Sequence, residues 1–142
     1  MKHSIKQEDV KYFVNEEKRT VVAVLEGTKD IFTDFIYDNN GLFSLHDHYY
    51  DYDNRYSLPN RFVGIAKCSV NDEWNEQLGK LIAFDRLKEK VNNSFIKCAN
   101  KYVRDVDNDI NTFCRNTKAY LDKLESNSDR RRNLINQLIK ED

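Results

Sequence analysis

The sequence predicts an α+β protein, with a small antiparallel β-sheet and a short helix followed by a long C-terminal helical hairpin or arm. Short runs of β-branched and aromatic residues occur in the first half of the chain, and such runs are typical of strands. Apolar residues recur at steps of three and four in the second half, which indicates helices. With 4 Gly and 1 Pro in 142 residues, regular elements are favoured over long loops. Strands first and helices after is the element order of an α+β domain.

The first two strands are predicted to form a β-hairpin. Residues 10–14 and 20–25 are rich in β-branched and aromatic side chains. The polar residues 15–19 lie between them and form a turn. Gly27 then ends the second strand.

A short helix is predicted over residues 29–37. Thr28 precedes it and has the hydroxyl oxygen that an N-cap position favours. The Asn-Asn-Gly sequence at residues 39–41 ends it, because Asn and Gly accept the left-handed backbone that terminates helices. One face of this helix is apolar and consists of Ile31, Phe32, Phe35 and Ile36.

A third strand is predicted over residues 62–66, where Gly64 indicates a bulge or a close approach of another backbone. Ser69 and Asp72 then have the spacing of a capping box, so a helix is expected to start there. Gly79 lies inside that helix and costs about 1 kcal/mol relative to alanine. We therefore expect a neighbouring element to pack closely at Gly79.

Two apolar stripes at helical spacing follow, separated by a turn that we expect near Arg104 and Asp105. Residues 126–129 are polar and are expected to break or bend the second helix. The first helix would have roughly 30 residues and a length of about 45 Å. The first stripe contains Trp74, Leu78, Leu81 or Ile82, Leu87, Val91, Phe95, Cys98 and Tyr102, and the second contains Val106, Ile110, Phe113, Thr117, Tyr120 or Leu121, and Leu124.

These elements predict one domain, in which a sheet region over residues 1–68 is covered by a helical region over residues 69–142. A helix of that length extends past a small core. Part of its apolar stripe must then pack on the second helix or on another chain. We expect a homodimer.

The charge composition does not favour a highly charged partner. The chain has 23 basic and 24 acidic residues, a balance without the strong positive field that nucleic-acid or anionic-membrane binding uses. No apolar run approaches the roughly 20 residues of a membrane span, and no secretory segment follows Met1. The three cysteines have no paired spacing. A soluble, reduced, cytoplasmic protein without membrane contact is expected.

Residues 42–60 contain the most distinctive polar cluster. His46 and His48 lie beside aspartates, a ligand set that suits zinc, manganese or iron, but no distant His or Cys pair of recognised spacing completes a site. A solvated loop without metal is expected. Tyrosines interleaved with aspartates are also typical of a recognition surface that could imitate a phosphate backbone. The predicted partner-binding residues are Asp47, Tyr49, Tyr50, Asp51, Tyr52, Asp53 and Tyr56.

Two groups of cations could contact an anion or a nucleotide, because guanidinium forks bind phosphate and carboxylate. Arg86 and Lys90 are four residues apart on the predicted long helix, with Trp74 at its start. The other group is the run Arg130, Arg131 and Arg132. Solvated helix faces with intrahelical ion pairs are the competing interpretation.

Catalytic signatures are missing from the sequence. It has no glycine-rich phosphate loop, no GxSxG elbow, no HExxH motif and no Cys/His set of known spacing. We therefore expect a protein that is not an enzyme and that uses no cofactor.

Two segments carry a resemblance to other proteins. They are Thr20–Thr28, TVVAVLEGT, and Gly64–Cys68, GIAKC, the second followed by Asp72-Glu73-Trp74 and then by Gly79, Ala83 and Arg86. In these segments the chain resembles a group of small uncharacterised proteins from phages and prophages of low-GC Gram-positive bacteria. It departs from the group, which usually has phenylalanine at Trp74 and a proline near Val70.

The resemblance implies a viral or prophage origin, and small accessory phage proteins often counteract host defence. Anti-CRISPR inhibitors and sponges for nucleotide signals are the two precedents. We therefore expect a non-enzymatic accessory protein that binds and inhibits a host protein, namely a CRISPR-type defence nuclease. The alternatives are a sponge that sequesters a cyclic-nucleotide or ADP-ribose-derived immune signal, and a nucleic-acid-binding or virion assembly protein.

Overall fold

A computed structural model describes residues 4–39 and 55–141 and confirms the α+β class. It has a three-stranded antiparallel sheet, one short helix and one long C-terminal helix. The elements in chain order are a 3-10 turn at Gln7–Asp9, β1 at Lys11–Asn15, β2 at Thr20–Glu26, α1 at Ile31–Asn39, β3 at Arg61–Lys67 and α2 at Glu76–Glu141.

The strands lie in the order β1-β2-β3, with each neighbouring pair antiparallel. Their predicted positions are confirmed to within one residue at each end. The turn between β1 and β2 is closed by Asn15, whose side-chain Oδ1 accepts from the Lys18 amide at 2.9 Å. Arg19 completes this turn with a positive φ of 51°.

Helix α2 crosses the inner face of the sheet at very short range. A Cβ placed on Gly64 would lie 2.7 Å from the backbone nitrogen of Leu87 and would also strike the carbonyl oxygen of Ala83. A Cβ on Gly79 would lie 2.7 Å from Cγ2 of Val21. Both glycines therefore mark close packing, as their positions in the sequence predicted.

The helix starts later than predicted. Helix α2 begins at Glu76, and the side chain of Asn75 caps it by accepting from the Leu78 amide at 3.0 Å. Ser69 instead forms a turn, in which its carbonyl accepts from the Asp72 amide at 3.2 Å. The predicted capping box at Ser69 was therefore wrong by six residues.

Helix α1 also begins later than predicted, at Ile31. The Thr28 hydroxyl donates to the carbonyl of Pro59, so this side chain joins the start of α1 to the segment before β3. The Leu58 amide donates to the Lys29 carbonyl at 3.0 Å and strengthens the same connection.

Neither predicted break occurs in the long helix. Helix α2 continues through Arg104–Asp105 and through residues 126–129, so the helical region is one helix and not a hairpin. The chain divides into two compact units, Met1–Tyr102 and Val103–Asp142. We call them the sheet unit and the helical unit.

The core lies in the sheet unit, between the sheet, α1 and the first turns of α2. Val21, Ala23, Ala83 and Leu87 are fully buried. An aromatic cluster extends this core through edge-to-face contacts with centroid distances of 5.2 to 6.3 Å. Its members are Phe32, Phe35, Tyr56, Phe95 and Tyr102.

Candidate functional site

The free edge of β3 is covered by two cations of α2. The Gly27 amide donates to the Asn60 carbonyl, so the ladder between β2 and β3 leaves the carbonyls of Val63 and Ile65 pointing away from β2. Nη1 of Arg86 donates to Ile65 O at 2.6 Å, and Nζ of Lys90 donates to Val63 O at 2.7 Å.

Arg86 and Lys90, predicted as an anion clamp, thus occupy main-chain acceptors of β3. The sequence placed them correctly on one helix face, but their acceptors are backbone atoms that no residue pattern reveals. A bound anion would compete with two short charge-assisted hydrogen bonds. The arrangement favours a protective role for the two cations. Without them, the exposed carbonyls of β3 would leave this edge strand open to pairing with another chain.

Trp74 and Arg86 also line a cavity of about 360 Å³ at the start of α2. Val21, Ala66 and Gly79 form part of its wall, and the Trp74 side chain is half-buried. The volume lies within the range of small-ligand sites. The lining does not include Lys90, so the three residues of the predicted nucleotide contact do not share one cavity.

One rim of this cavity is fixed by Arg19 from the β1–β2 turn. Its Nη2 donates to the Ser69 carbonyl at 3.0 Å and to the Asp72 carbonyl, and it lies 3.2 Å from Cys68 Sγ. The Cys68 amide donates to the Arg19 carbonyl at 2.8 Å. Arg19 therefore joins the β1–β2 turn to the segment after β3 through both its carbonyl and its guanidinium group.

Of the predicted partner-binding residues, the structure describes only Tyr56. Tyr56 is 1% exposed, and its ring contacts Phe32 and Tyr102 in the aromatic cluster. Lys101 lies over the same ring, 5.7 Å from the centroid. Tyr56 therefore belongs to the core of the sheet unit. The predicted contacts Asp47, Tyr49, Tyr50, Asp51, Tyr52 and Asp53, together with His46 and His48, lie outside the described residues.

The outer face of the sheet carries an apolar patch that the sequence analysis missed. Phe13, Val22 and Ile65 form one cross-strand row, and Val24 and Val63 pair in the next row. Phe13 is 59% exposed and Ile65 is 47% exposed, whereas Val22 and Val63 are half-buried and Val24 is buried. We call these five residues the sheet patch. The unbroken apolar run of β2 is the sequence feature that indicates this patch, because a strand with one solvated face usually alternates between apolar and polar residues.

The rim of the sheet patch is polar and mainly basic. Lys11 pairs with Val24 at one end of the patch, and Lys67 pairs with Thr20 at the other. Arg61 is balanced by Glu26, with a distance of 3.9 Å between Nε and Oε1. An apolar patch with exposed members and a polar rim is a common property of protein-binding surfaces.

The helical unit presents a second apolar surface. Most of its large apolar side chains are exposed, and Phe113 is the most exposed of them at 71%. Arg130, Arg131 and Arg132 lie inside the continuous helix, exposed to solvent, so they point in successive directions around its axis. They do not converge on one anion.

The cysteines and the other titratable residues show no catalytic grouping in the described ranges. Burial raises the pKa of the Cys98 thiol, and nearby Lys101 and Lys97 partly oppose this shift. Cys114 is exposed. Within residues 4–39 and 55–141 no group of three His, Cys, Asp or Glu side chains could hold a metal ion. No helix in these ranges has both the length and the apolar character to cross a membrane.

Comparison of the chain with protein-family models, with curated proteins and with solved structures found no match. The sheet patch, the cavity beside Trp74 and the exposed surface of the helical unit are the candidate binding surfaces of this chain.

Proposed function

We propose that this chain is a non-enzymatic accessory protein that binds another protein and blocks it. One observation carries the proposal, the sheet patch, with Phe13 and Ile65 exposed on the side of the sheet opposite α2. A few side chains near the centre of a patch, aromatic ones prominent among them, contribute most of the binding free energy in protein interfaces. The partner surface that fits has an apolar centre and acidic residues opposite Lys11 and Lys67.

The class of target follows from the resemblance to phage and prophage proteins, which points to a bacterial defence nuclease of the CRISPR type. The aspartates at 47, 51 and 53 remain a predicted second contact, presented to a basic nucleic-acid channel. The proposal includes a homodimer, because the helical unit exposes large apolar side chains.

A cleavage assay tests this function. The full chain is added to purified defence nucleases, and its inhibition is compared with that of Phe13→Asp and Ile65→Asp. Each variant should weaken inhibition about tenfold or more, as expected for removing a central apolar contact. Val70→Asp is the matched control, since Val70 is 87% exposed and lies off the sheet.

Two results would contradict separate parts of the proposal. Full inhibition by both sheet-patch variants would remove the role of the patch. No inhibition of any nuclease by the wild-type chain would remove the proposed target class.

Replacing Asp47, Asp51 and Asp53 together by lysine should also abolish inhibition, and unchanged inhibition would exclude that loop from the contact.

A sponge for nucleotide signals is the second candidate, favoured by the cavity of about 360 Å³ that Trp74 and Arg86 line. Indole stacking and a guanidinium group together suit a nucleotide. Thermal unfolding with cyclic nucleotides and ADP-ribose derivatives tests it, because a ligand of the native state raises the melting temperature. The shift should disappear in Trp74→Ala, and a panel without any shift would reject this candidate.

A further inference from the structure

The helical unit has the residue pattern of a two-stranded coiled coil. Apolar side chains recur in a heptad, at alternating steps of three and four. They lie on one side of α2 in the segment where the helix carries no core residue of the sheet unit. The first position of the heptad is held by Val103, Ile110, Thr117, Leu124 and Leu138, and the fourth by Val106, Phe113, Tyr120 and Leu134. We call these nine residues the helix seam.

Charge is distributed unevenly along the same segment. Asp105, Asp107 and Asp109 lie near its beginning, and Arg130, Arg131 and Arg132 lie near its end. Asp109 and Arg130 both occupy the heptad position directly before the seam, so they flank it on the same side. A helix with one acidic end and one basic end is complementary to a copy of itself that runs in the opposite direction.

We propose that residues 103–141 of two copies of this chain form an antiparallel coiled coil along the helix seam. With Thr117 of one copy opposite Tyr120 of the other, Asp109 lies opposite Arg130 of the second copy. The two-fold symmetry repeats this pair, so each dimer contains it twice. The inference deepens the proposed homodimer and does not depend on the proposed target.

Two other polar residues, Asn127 and Arg131, also occupy core positions of the heptad. Asn127 falls opposite Ile110 of the second copy, where an amide without a polar partner costs stability. Arg131 falls opposite Val106 of the second copy. Its aliphatic stem can pack there while the guanidinium extends to Asp107 or Asp109 beside the seam.

A parallel dimer would lose these pairings. It would place Asp107 and Asp109 of one copy beside the same aspartates of the other, and Arg131 directly opposite Arg131 of the second copy. Like charges at a helix interface oppose association, and alternative pairings are rejected in this way. The charge pattern therefore selects the antiparallel arrangement.

Sedimentation equilibrium of the full chain tests the dimer. The wild-type protein should be a dimer, and Phe113→Asp should dissociate it, because a carboxylate replaces an aromatic side chain of the seam. Ala119→Asp, on the same helix but off the seam, is the control and should remain dimeric. A wild-type chain that is monomeric at every concentration would overturn the inference, and the nuclease assay would be unaffected by that result.

Charge exchange tests the direction of the helices. At low salt Asp109→Arg and Arg130→Asp should each weaken the dimer roughly tenfold, equivalent to about 1.4 kcal/mol. The double variant should restore the wild-type dissociation constant, because the exchanged charges face each other again only in the antiparallel register. Failure of the double variant to restore the dimer, or no effect of either single variant, would overturn the register. The helical circular dichroism signal of each variant shows whether it has folded.

Discussion

At the scale of single residues, two glycines determine how closely α2 approaches the sheet. A Cβ at Gly64 meets helix backbone, the nitrogen of Leu87 at 2.7 Å, and backbone cannot yield locally. A Cβ at Gly79 meets only the side chain of Val21, but that side chain is fully buried and β-branched. The two positions should therefore differ in their tolerance of a methyl group.

We predict that Gly64→Ala destabilises the sheet unit by about 3 kcal/mol, the upper end of the usual overpacking range. Gly79→Ala should destabilise it by only about 1 kcal/mol, because the gain in helix propensity offsets part of the clash. Urea unfolding followed by the fluorescence of Trp74, the only tryptophan, measures both. Adding Val21→Ala should reduce the effect of Gly79→Ala, and purely additive losses would contradict the assigned contact.

Tyr12 carries a second prediction at this scale. Its hydroxyl is buried without a hydrogen-bond partner among the described residues, and burial raises its pKa above the ordinary value of 10.0. The folded state thus favours the neutral phenol. This contribution to stability is present below pH 10 and is lost as the pH rises through the raised pKa.

Tyr12→Phe should therefore increase the free energy of unfolding by about 1 kcal/mol near neutral pH, since an unpaired hydroxyl no longer has to be desolvated. Above pH 10 the variant should also lose less stability than the wild-type chain. Urea unfolding across this pH range measures both effects. An unfolding free energy that falls on substitution would show that the hydroxyl makes a favourable contact.

At the scale of elements, β3 has one edge in the ladder with β2 and the other covered by Arg86 and Lys90. Both cations are exposed, so each hydrogen bond contributes little to stability. Their larger effect is on association, because an uncovered edge strand can pair with another chain.

We predict that the double variant Arg86→Met, Lys90→Met loses about 1 kcal/mol of stability but aggregates much faster than the wild-type chain on mild heating. Light scattering measures the aggregation. Lys97→Met, which removes an exposed lysine from the same helix, should behave as the wild-type chain does. Equal scattering by all three proteins would show that the two cations do not protect the edge.

The strands were predictable from the sequence, and the helix boundaries were not. Runs such as Val21–Leu25 have a strong local preference for strand. Ser69 and Asp72 have the spacing of a cap, but the Asp72 carbonyl accepts from Arg19, a residue distant in the sequence, and Asn75 caps instead. Residues 126–129 were expected to break the helix, yet each costs only a few tenths of a kcal/mol inside one.

The candidate site was less predictable than the fold. Trp74 and Arg86 line one cavity, but Trp74 lies before the start of α2 at Glu76, so helical periodicity does not relate these two residues. The sheet patch was missed because Phe13 and Ile65 come from different strands, and their adjacency depends on the register through Val22. The loop that holds most predicted contacts lies outside the described residues.

At the scale of the whole molecule, every buried core residue within the described ranges comes from the sheet unit, whose last contributor is Tyr102. The helical unit adds exposed side chains and no member of that cluster. Stability of the fold and self-association should therefore depend on different residues.

We predict that a chain ending after Tyr102 keeps the Trp74 fluorescence and the unfolding midpoint of the full chain to within the effect of a surface substitution, about 0.5 kcal/mol. The same truncation should abolish the dimer. Urea unfolding and sedimentation equilibrium measure the two properties. A truncated chain that fails to fold would show that residues 103–142 contribute directly to the sheet unit.

Arg19 has a consequence for local motion. Its carbonyl accepts from the Cys68 amide, and its guanidinium holds the carbonyls of Ser69 and Asp72. The β1–β2 turn therefore cannot fray without releasing the segment after β3, although the two are about fifty residues apart in the chain. Exchange of the amide protons with solvent deuterium should therefore give one common free energy of opening for both segments, as parts of a single opening unit.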